Sequence, residues 1–476
     1  MGGLSHKSEY SSMSLRVRLL STMKTVAITV GEDIIVRNIL QTEFLALFLD
    51  YARKENWKVI FIVSEKTEMV VRSHARHANV IVYRRDNPSK IENIIMTLAR
   101  SAIDTHTNLW SKMRSYKRGD SSYVATVLKR IHTALLGDFS WYKRLLRFLI
   151  ERLPSDRRAH ELFDQYNPDI FVPLSLTSYD FDVPLAREAE KRKIPILGMV
   201  RSWDNLSSHG LLHIVPDVFF LQNAFLKEMA LLHQALDERK VPIHIVGLPH
   251  YDAYMRPRAI PREKLCTLLG LDSSKKIILY GAMGSFLFKH EHDMPRILDR
   301  VIEHTRLSET AQVLYRAHPK FILKDEFATL PNVILSTPTS YTAKEHEYTS
   351  EDVLISTIVH ADVVITCGST FAIDAIILGR PVICISFDGE QTADYWESAA
   401  RFYDLYTHYE AFIETSKTPV AKNEKELAQM ILNGIKRGNC DRQTREAVIR
   451  RFAPWYEGGS AKRLADSLRK EILKIS

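Results

Sequence analysis

A strand–glycine–helix junction in the sequence carries residue types that bind phosphates. The apolar run at residues 363–366 predicts a buried strand, and Gly368, Ser369 and Thr370 follow it before a predicted helix. Glycine lets a backbone approach a ligand closely, and the free N–H groups at a helix start attract an anion. Asp374 lies one turn beyond Thr370 on nearly the same face, where its carboxylate could accept hydrogen bonds from ribose hydroxyls. The plainer alternative is an ordinary N-cap followed by a solubilising aspartate.

Other candidates to bind the same phosphorylated ligand follow further predicted strands of the C-terminal half. They are Gly281, Gly284, Ser285, Arg316 and His318. The turn that contains Gly281 and Gly284 can cradle phosphates, although a tight connection explains its glycines equally well. Arg316 and His318 alternate along their strand, so both side chains could face one cleft. A histidine hydrogen-bonded inside the fold is the simpler alternative for His318.

A second group of candidates belongs to the N-terminal half and could bind an acceptor. It consists of Asp33, Arg37, Arg201, Trp203, Asp204, Asn205 and His209. Trp203 could stack on a sugar ring, and Arg37 could meet an anionic group. Asp204 is the candidate general base for an attacking hydroxyl, with His209 as the alternative. Asp204 and Asn205 could instead hydrogen-bond their own backbone in a structural turn.

All these residues lie near the ends of predicted strands, and the strands alternate with helices along the chain. Short β-branched runs such as 25–30, 58–63 and 276–280 are separated by helical patterns. This alternation is typical of parallel sheets covered by helices. Two series of strands, joined near residues 250–275, predict an α/β fold of two doubly wound domains facing a cleft. Ligands of such sheets bind beyond the carboxyl ends of the strands.

The predicted organisation has five parts. An N-terminal extension covers residues 1–23, an acceptor-side domain covers 24–252, and a linker covers 253–274. A domain that binds a nucleotide-activated donor follows at residues 275–457, and a C-terminal helix occupies 458–476.

A basic helical insertion interrupts the first domain at about residues 90–160. Within residues 110–150, Trp141 and Leu145 could form an apolar face beside Arg144. Such a face can make peripheral contact with an anionic membrane. The plainer interpretation is a helical hairpin that packs on its own domain and leaves a solvated basic side.

The overall composition is that of an ordinary globular protein. The chain has 476 residues, of which 45% are hydrophobic and 26% charged, and two or three domains are expected. The absence of an eighteen-residue apolar run and of a signal-peptide pattern predicts a cytoplasmic protein. Four cysteines without CxxC spacing argue against a zinc site or a disulfide framework. The net charge of +8 predicts anionic partners, but without a nucleic-acid motif we expect no nucleic acid among them.

The segment at residues 361–388 resembles the donor-binding unit of GT-B glycosyltransferases. It is most similar to the branch of CDP-glycerol glycerophosphotransferases and bacterial capsule or lipopolysaccharide transferases. Residues 315–319 resemble the R-x-H-P of that group, 246–252 its G-x-P-x-x-D, and 458–463 the start of its last helix. The resemblance covers about residues 194–475. It implies two Rossmann-like domains and a last helix that returns to the first domain.

The resemblance also implies roles for individual residues. His318, with Arg316 as a weaker partner, would bind the donor phosphates and stabilise the charge on the leaving diphosphate. Glu390 and Gln391 would hold hydroxyls of the transferred group.

The sequence therefore predicts a nucleotide-sugar-dependent glycosyltransferase that transfers a sugar to a hydroxyl acceptor in bacterial surface polysaccharide or capsule biosynthesis. Its donor would be UDP-, CDP- or CMP-linked, and its acceptor a glycan or a lipid-linked molecule. We expect no cofactor and no obligate metal, because no Asp-x-Asp pair lies beside a strand end of the donor domain. The partial match at Asp180 and Asp182 lies in the other domain. The enzyme is expected in the cytoplasm, with peripheral contact to the inner face of the membrane through the basic helices.

Three alternatives stay open at this point. The first is a CDP-glycerol-type glycerophosphotransferase, which release of CMP instead of UDP would distinguish. The second is an enzyme similar to UDP-sugar 2-epimerases, although their pattern has Ser-Gly-Gly and a helix Glu where this chain has Gly368–Thr370 and Asp374. The third is a non-catalytic scaffold that binds a nucleotide sugar.

Overall fold

A computed structural model gives the architecture of the chain. It describes residues 23–76, 78–255, 259–318, 329–336, 348–455 and 457–475. Most of the predicted N-terminal extension therefore lies outside the described residues.

The N-terminal half is built on parallel strands. They are β1 (Thr25–Val30), β2 (Lys58–Val63), β3 (Asn79–Val82), β4 (Ile170–Pro173), β5 (Leu197–Met199), β6 (Val218–Leu221) and β7 (Ile243–Ile245). One sheet has the order β3-β2-β1-β4 and the next the order β5-β6-β7. A parallel bridge between Phe171 and Ile196 links β4 to the chain that enters β5. The two sheets are therefore connected side by side, as in a doubly wound domain.

Helices cover this half and also form the predicted insertion. They are α1 (Asp33–Ile35), α2 (Glu43–Lys54), α3 (Glu68–His74), α4 (Lys90–Arg100), α5 (His106–Lys117), α6 (Tyr123–Leu136), α7 (Ser140–Glu151), α8 (Arg157–Tyr166), α9 (Asp182–Lys191), α10 (Asn205–Ser208), α11 (Ala224–His233) and α12 (Asp252–Met255). A π-helical turn at Val36–Leu40 extends α1, and α2 begins only after Thr42 caps it. The apolar spacing of residues 39–55 predicts one continuous helix, which is wrong because Thr42 is in the extended conformation.

The C-terminal half holds one six-stranded parallel sheet. Its strands are β8 (Lys276–Gly281), β9 (Ala311–Arg316), β10 (Val333–Ser336), β11 (Val363–Thr366), β12 (Val382–Ile385) and β13 (Val420–Ala421). They lie in the order β10-β9-β8-β11-β12-β13, so β8 and β11 are neighbours at the centre. Gly281 pairs with Thr366, which brings the turns after these two strands to the same edge.

The helices of this half lie between its strands or follow the last of them, and the final helix returns to the first half. They are α13 (Arg262–Leu269), α14 (Met294–His304), α15 (Ser350–His360), α16 (Thr370–Ile377), α17 (Phe402–Leu405), α18 (Thr407–Ser416), α19 (Glu424–Arg437), α20 (Arg442–Phe452) and α21 (Ser460–Lys474). Helix α13 lies within the segment that the sequence predicts as a linker. None of the helices in the described part of the chain combines the length and apolar character needed to cross a membrane.

Helix α21 packs on the first half of the molecule, against α2. Its Leu464, Leu468 and Ile472 share one buried cluster with Val26 and Ile28 of β1. Because side chains alternate along a strand, the intervening Ala27 faces the other side and belongs to a second cluster that continues into the C-terminal half. The first sheet is therefore covered on one face by a helix that follows the second domain in sequence.

The start of α21 is capped by a residue from the end of the first domain. The two carboxylate oxygens of Asp252 accept hydrogen bonds from the backbone N–H groups of Ser460 (2.9 Å) and Ala461 (2.8 Å). Gly247 has φ of +79°, and a Cβ there would lie 2.4 Å from Oγ of Ser460. The G-x-P-x-x-D motif at residues 246–252 therefore contacts the Gly-Gly-Ser motif at residues 458–460, although the two are far apart in sequence.

Helix α5 of the insertion reaches the C-terminal half. The Trp110 ring lies 4.3 Å from the Tyr406 ring, measured between centroids. The Arg114 guanidinium donates to the backbone carbonyl of Leu287 at 3.1 Å. The insertion is therefore in contact with both halves of the molecule.

Candidate active site

A cleft between the two halves collects residues from both sheets. From the N-terminal half it is lined by the segments that follow β1, β5, β6 and β7, and from the C-terminal half mainly by helix α16. Five of the residues predicted from the sequence lie in this lining: Arg37, Arg201, Trp203, Thr370 and Asp374. The cleft therefore combines members of the predicted donor group and of the predicted acceptor group.

The turn between β11 and α16 has the geometry of a helix start. Gly368 has φ of +59°, and an added Cβ would lie 3.2 Å from the ring of Tyr409. Ser369 is the N-cap, and its Oγ accepts from the Phe371 N–H at 3.2 Å. Thr370 is exposed at the first helical position and lines the cleft. The positive end of α16 is thus directed at the cleft, where it favours a negatively charged group.

Asp374 lies one turn into α16 within a polar cluster made by both halves. The hydroxyls of Tyr251 and Tyr254 hydrogen-bond to its carboxylate. Burial raises the pKa of Asp374 to about 6, although His250 and Arg37 act to lower it. The carboxylate is therefore largely ionised at neutral pH, and it can accept further hydrogen bonds from a ligand.

The glycine-containing turn after β8 surrounds a carboxylate of the protein itself. The carboxylate of Glu291 accepts hydrogen bonds from the backbone N–H of Met283 (2.7 Å), the backbone N–H of Gly284 and the hydroxyl of Tyr280 (3.0 Å). Burial raises the pKa of Glu291 to about 7. A Cβ on Gly281 would lie 2.3 Å from the Phe371 ring. The Glu291 carboxylate therefore takes the backbone N–H groups that the sequence analysis expects to bind a phosphate, and the Phe371 ring packs against Gly281.

The loop after β5 is tied to the loop after β1 by charge. The guanidinium of Arg201 forms an ion pair with Glu32, and its Nη2 lies 3.4 Å from Nε2 of His209. Burial lowers the pKa of His209. The imidazole is therefore neutral at pH 7 and has a lone pair that can accept a proton.

The carboxylate of Asp204 is engaged by the protein. It accepts a hydrogen bond from Oγ of Ser208 at 2.9 Å. Burial acts to raise the pKa of Asp204, but His408, His209 and the serine hydrogen bonds outweigh it, so the pKa is below its ordinary value. Burial also lowers the pKa of His408 to about 4. An ionised carboxylate with a low pKa is a weak general base, which favours His209 for that role.

Trp203 belongs to an aromatic cluster between the two halves. Its ring meets the rings of His408 and Phe452 edge-on, with centroid distances of 5.0 and 5.4 Å. The neighbouring Asn205 is buried, and its Oδ1 accepts from Oγ1 of Thr177 at 3.0 Å. Both side chains thus have extensive protein contacts, and only Trp203 lines the cleft.

The remaining predicted residues have varied surroundings. Asp33, Ser285 and Gln391 are exposed. Arg316 ends β9, and His318 is half-buried two residues later. The Glu390 carboxylate forms an ion pair with Arg300 of α14 and is exposed. The resemblance implies that Glu390 holds hydroxyls of the transferred group, whereas in the structure its carboxylate is paired with Arg300.

Several residues of the site were not singled out from the sequence. His250 and Tyr251 lie inside the segment at residues 246–252, but that pattern does not show that its aromatic residues meet α16. His408 and Glu291 come from helical segments without any recognisable motif. Histidine, tyrosine and glutamate are common in ordinary helical segments, so the sequence of these segments gives no specific signal.

One group among the described residues has the composition of a metal site. The ligand atoms of His290, His292 and Asp293 lie within 4.8 Å of one another. His292 is exposed, and Oδ2 of Asp293 accepts from the Glu390 backbone N–H at 3.1 Å. Imidazole and carboxylate ligands of this kind suit a divalent transition metal. The expectation that no metal is required stays a prediction.

A family model matches the sequence of the second half of the chain, and solved structures resemble the fold of nearly the whole chain. Residues 218–470 match the family model described as CDP-Glycerol:Poly(glycerophosphate) glycerophosphotransferase. This match includes the end of the first domain and the whole of helix α16. No curated protein sequence matches the chain.

Solved structures resemble the chain over nearly its full length. A UDP-GlcNAc 2-epimerase from Neisseria meningitidis, bound to UDP-GlcNAc, is 13% identical over 94% of this chain and 100% of its own, with a TM-score of 0.51. A UDP-GlcNAc 2-epimerase from Methanocaldococcus jannaschii is 13% identical over 94% and 99%, with a TM-score of 0.50. A glycosyltransferase from Rickettsia africae is 14% identical over 96% and 100%, with a TM-score of 0.47. At such low identity the likenesses to the two epimerases concern the fold alone, which agrees with the two Rossmann-like domains predicted from the sequence.

Proposed function

Because the chain belongs to the CDP-glycerol:poly(glycerophosphate) glycerophosphotransferase family, we propose that it transfers glycerol phosphate or a related alditol phosphate from a CDP-linked donor to a hydroxyl acceptor. The observation that carries this proposal is the cleft in which α16 meets the loops of the first domain. The N-terminus of α16 supplies a positive end for the donor phosphates, and Asp374 supplies an acceptor for ribose hydroxyls.

The proposed step is an attack of the acceptor hydroxyl on the phosphorus that carries the glycerol. A new phosphate ester bond forms, and the bond between this phosphorus and the bridging oxygen breaks, so that CMP leaves with the electron pair. His209 takes the proton of the hydroxyl, since burial keeps its imidazole neutral. The end of α16 and the predicted phosphate ligands Arg316 and His318 stabilise the charge on the leaving group.

Arg201 is proposed to orient both the base and the acceptor. Its guanidinium lies beside His209 and pairs with Glu32, so one side chain links the two loops that would hold the acceptor. A glycan or lipid-linked acceptor would enter from this side of the cleft. We place this reaction in the cytoplasm, at the inner face of a bacterial membrane, as part of surface polysaccharide assembly.

Sugar transfer from a nucleotide sugar, as in capsule synthesis, is the second candidate. It is favoured by the fold shared with the Neisseria meningitidis protein, whose structure holds UDP-GlcNAc. The two candidates consume different donors, because phosphate-ester transfer from CDP-glycerol or CDP-ribitol leaves CMP. Sugar transfer leaves a nucleoside diphosphate from a UDP-sugar and CMP from a CMP-sugar. An epimerase would release neither product while it interconverts its sugar nucleotide.

The test is a product assay with CDP-glycerol, CDP-ribitol and common UDP- and CMP-sugars, each with a hydroxylated acceptor. We expect acceptor-dependent release of CMP from CDP-glycerol or CDP-ribitol, reduced at least about 100-fold in His209→Gln and in Asp374→Ala. Glu390→Gln is the matched control and keeps its activity. Release of UDP from a UDP-sugar, or of CMP from a CMP-sugar, without turnover of CDP-glycerol or CDP-ribitol would establish the second candidate instead. Nucleotide binding without turnover of any donor would favour the scaffold alternative.

A further inference from the structure

Three potential metal ligands lie together just before helix α14. They are His290, His292 and Asp293, and their ligand atoms all lie within 4.8 Å of one another. Two imidazoles and one carboxylate are a set of ligands that binds divalent transition metals. Asp293 is buried, His290 is half-buried and His292 is exposed, so the group extends from the interior of the domain to its surface.

The distances within this group fit coordination of one ion. Nε2 of His292 lies 3.4 Å from Oδ1 of Asp293. Two ligand atoms that bind a tetrahedral zinc ion at bond lengths of about 2.1 Å lie about 3.4 Å apart. The rings of His290 and His292 are 5.9 Å apart, measured between centroids, and two imidazoles on one tetrahedral ion have ring centres about 5 Å apart. The three side chains are therefore close to the arrangement that a shared ion requires.

The backbone that carries the ligands is anchored at Glu291, which separates the two histidines in sequence. The buried carboxylate of Glu291 accepts hydrogen bonds from the backbone N–H of Met283 at 2.7 Å and from the hydroxyl of Tyr280 at 3.0 Å. These bonds hold the short 3-10 turn at Glu291–Asp293 on the body of the domain. Ligands on a fixed backbone lose little conformational freedom when an ion binds, which favours binding.

The carboxylate of Asp293 is oriented by a neighbouring loop. Its Oδ2 accepts from the Glu390 backbone N–H at 3.1 Å, while its Oδ1 lies beside His292. Asp293 is the N-cap residue of α14, but within the described part of the chain its side chain makes no capping hydrogen bond to that helix. A Cβ at Gly389 would lie 2.9 Å from Oδ2 of Asp293, so only glycine allows this approach of the loop. A hydrogen bond to the outer oxygen of a carboxylate is typical of metal ligands.

We propose that His290, His292 and Asp293 bind a divalent transition metal ion of the zinc class. The three side chains leave at least one coordination position of a tetrahedral ion to water or to another anionic oxygen. This site uses imidazole nitrogens and a carboxylate, so it is independent of the cysteines of the chain. The inference does not depend on the proposed transfer reaction, because metal binding is measured without donor or acceptor.

The proposed ion belongs to the carboxyl edge of the second sheet. Its ligands follow β8, and the loop that contacts Asp293 follows β12. Helix α16 begins at the same edge, after β11. Ligands of parallel sheets bind beyond this edge. The ion would therefore add positive charge on the side of the sheet to which the donor phosphates are assigned.

The experiment is a titration of the full chain with Co²⁺, after removal of metals with EDTA and desalting. Cobalt occupies zinc sites and gives a visible absorption band when nitrogen and oxygen ligands surround it tetrahedrally. We expect a saturable band that added Zn²⁺ abolishes. His292→Ala lowers the cobalt affinity at least about tenfold, because a ligand is lost. Since His292 is exposed, this variant keeps its fold, which its thermal midpoint in the absence of metal verifies.

Asp293→Asn is the second variant, because its amide oxygen can still accept from the Glu390 N–H while the negative ligand is lost. We expect the same fall in affinity. The matched control is His74→Ala/His304→Ala, which removes two exposed histidines outside the group. Unchanged affinity in this control, together with the loss in both variants, supports the proposal.

Two results would overturn the proposal. Equal cobalt affinity of the wild type and His292→Ala would mean that the ion binds elsewhere on the chain. If the wild type gives no saturable band, the contact between His292 and Asp293 is an ordinary ion pair and the group binds no metal.

Discussion

Two glycine-containing turns lie at the same edge of the second sheet and differ in what occupies them. The turn after β8 directs two backbone N–H groups onto the buried carboxylate of Glu291. The turn after β11 starts helix α16, whose Thr370 and Asp374 line the cleft. Both turns match a phosphate-binding pattern in sequence. One of them holds a carboxylate of the protein itself, and the other faces the space where a ligand would bind.

The difference shows what a glycine pattern can and cannot indicate. Glycine allows the backbone to adopt the turn and to approach another group closely. It does not determine which acceptor satisfies the N–H groups, because a carboxylate from elsewhere in the fold serves as well as a phosphate. The two turns are thus alike in backbone chemistry and different in accessibility.

The largest expected effect is the loss of stability when the Glu291 carboxylate, which accepts the hydrogen bonds of the turn after β8, is removed. Glu291→Ala leaves two buried N–H groups and the Tyr280 hydroxyl without their carboxylate, and we expect a loss of about 3 kcal/mol or more in unfolding free energy. Urea denaturation measures it. Recovery of this stability on adding phosphate or CDP would show that the turn after β8 can bind an anion once Glu291 is absent. A loss below about 1 kcal/mol would contradict the role given to Glu291.

The second effect is a pH dependence that differs between the two turns. Burial raises the pKa of Asp374 to about 6 and that of Glu291 to about 7, from ordinary values near 4. Above its ordinary pKa each group binds its proton more tightly in the folded state, so unfolding free energy falls as pH rises through that window.

Replacement by the amide separates the two contributions. Asp374→Asn removes the fall between about pH 4 and 6, and Glu291→Gln removes the fall between about pH 4 and 7. Urea denaturation across this range measures both slopes. An Asp374→Asn profile parallel to the wild type would mean that the carboxylate is not desolvated in the cleft.

A smaller effect is expected at the start of α16. Ser369→Ala removes the hydroxyl that accepts from Phe371 N–H, at a cost of about 1 kcal/mol in unfolding free energy. Ser369→Asp keeps an N-cap acceptor, so it preserves stability while it places a negative charge at the end of the helix. If that end binds phosphate, thermal shift shows weaker nucleotide binding for Ser369→Asp than for Ser369→Ala. The opposite order would argue that the phosphates lie elsewhere.

The smallest effect is expected at Glu390, which follows the next strand along the sheet. Its ion pair with Arg300 is exposed, and such pairs contribute at most about 0.5 kcal/mol to unfolding free energy. Glu390→Ala should therefore change neither the urea midpoint nor nucleotide binding. A tenfold loss of donor affinity in this variant would restore the role that the resemblance implies for Glu390.

The fold was the most predictable part of the molecule. Apolar runs such as Thr25–Val30 and Lys276–Gly281 became parallel strands, because their length and branching leave few other structures. The start of α16 was also evident, since glycine and serine have direct roles in a helix N-terminus. The residues that form the site were less predictable from the sequence, because contacts such as those of Tyr254 with Asp374 join segments more than a hundred residues apart. No local pattern specifies a partner at that distance.

Helix α21 has a consequence for how the protein is made. It covers one face of the first sheet and begins against Asp252, yet the ribosome adds it about 200 residues after that aspartate. At ordinary rates of synthesis the growing chain therefore keeps that apolar face uncovered for about 10 to 40 s. The first domain can form its sheet early, but it is completed only after the second domain has emerged. A chaperone that binds nascent chains could therefore bind the apolar face of β1 and α2 long after the strands themselves have paired.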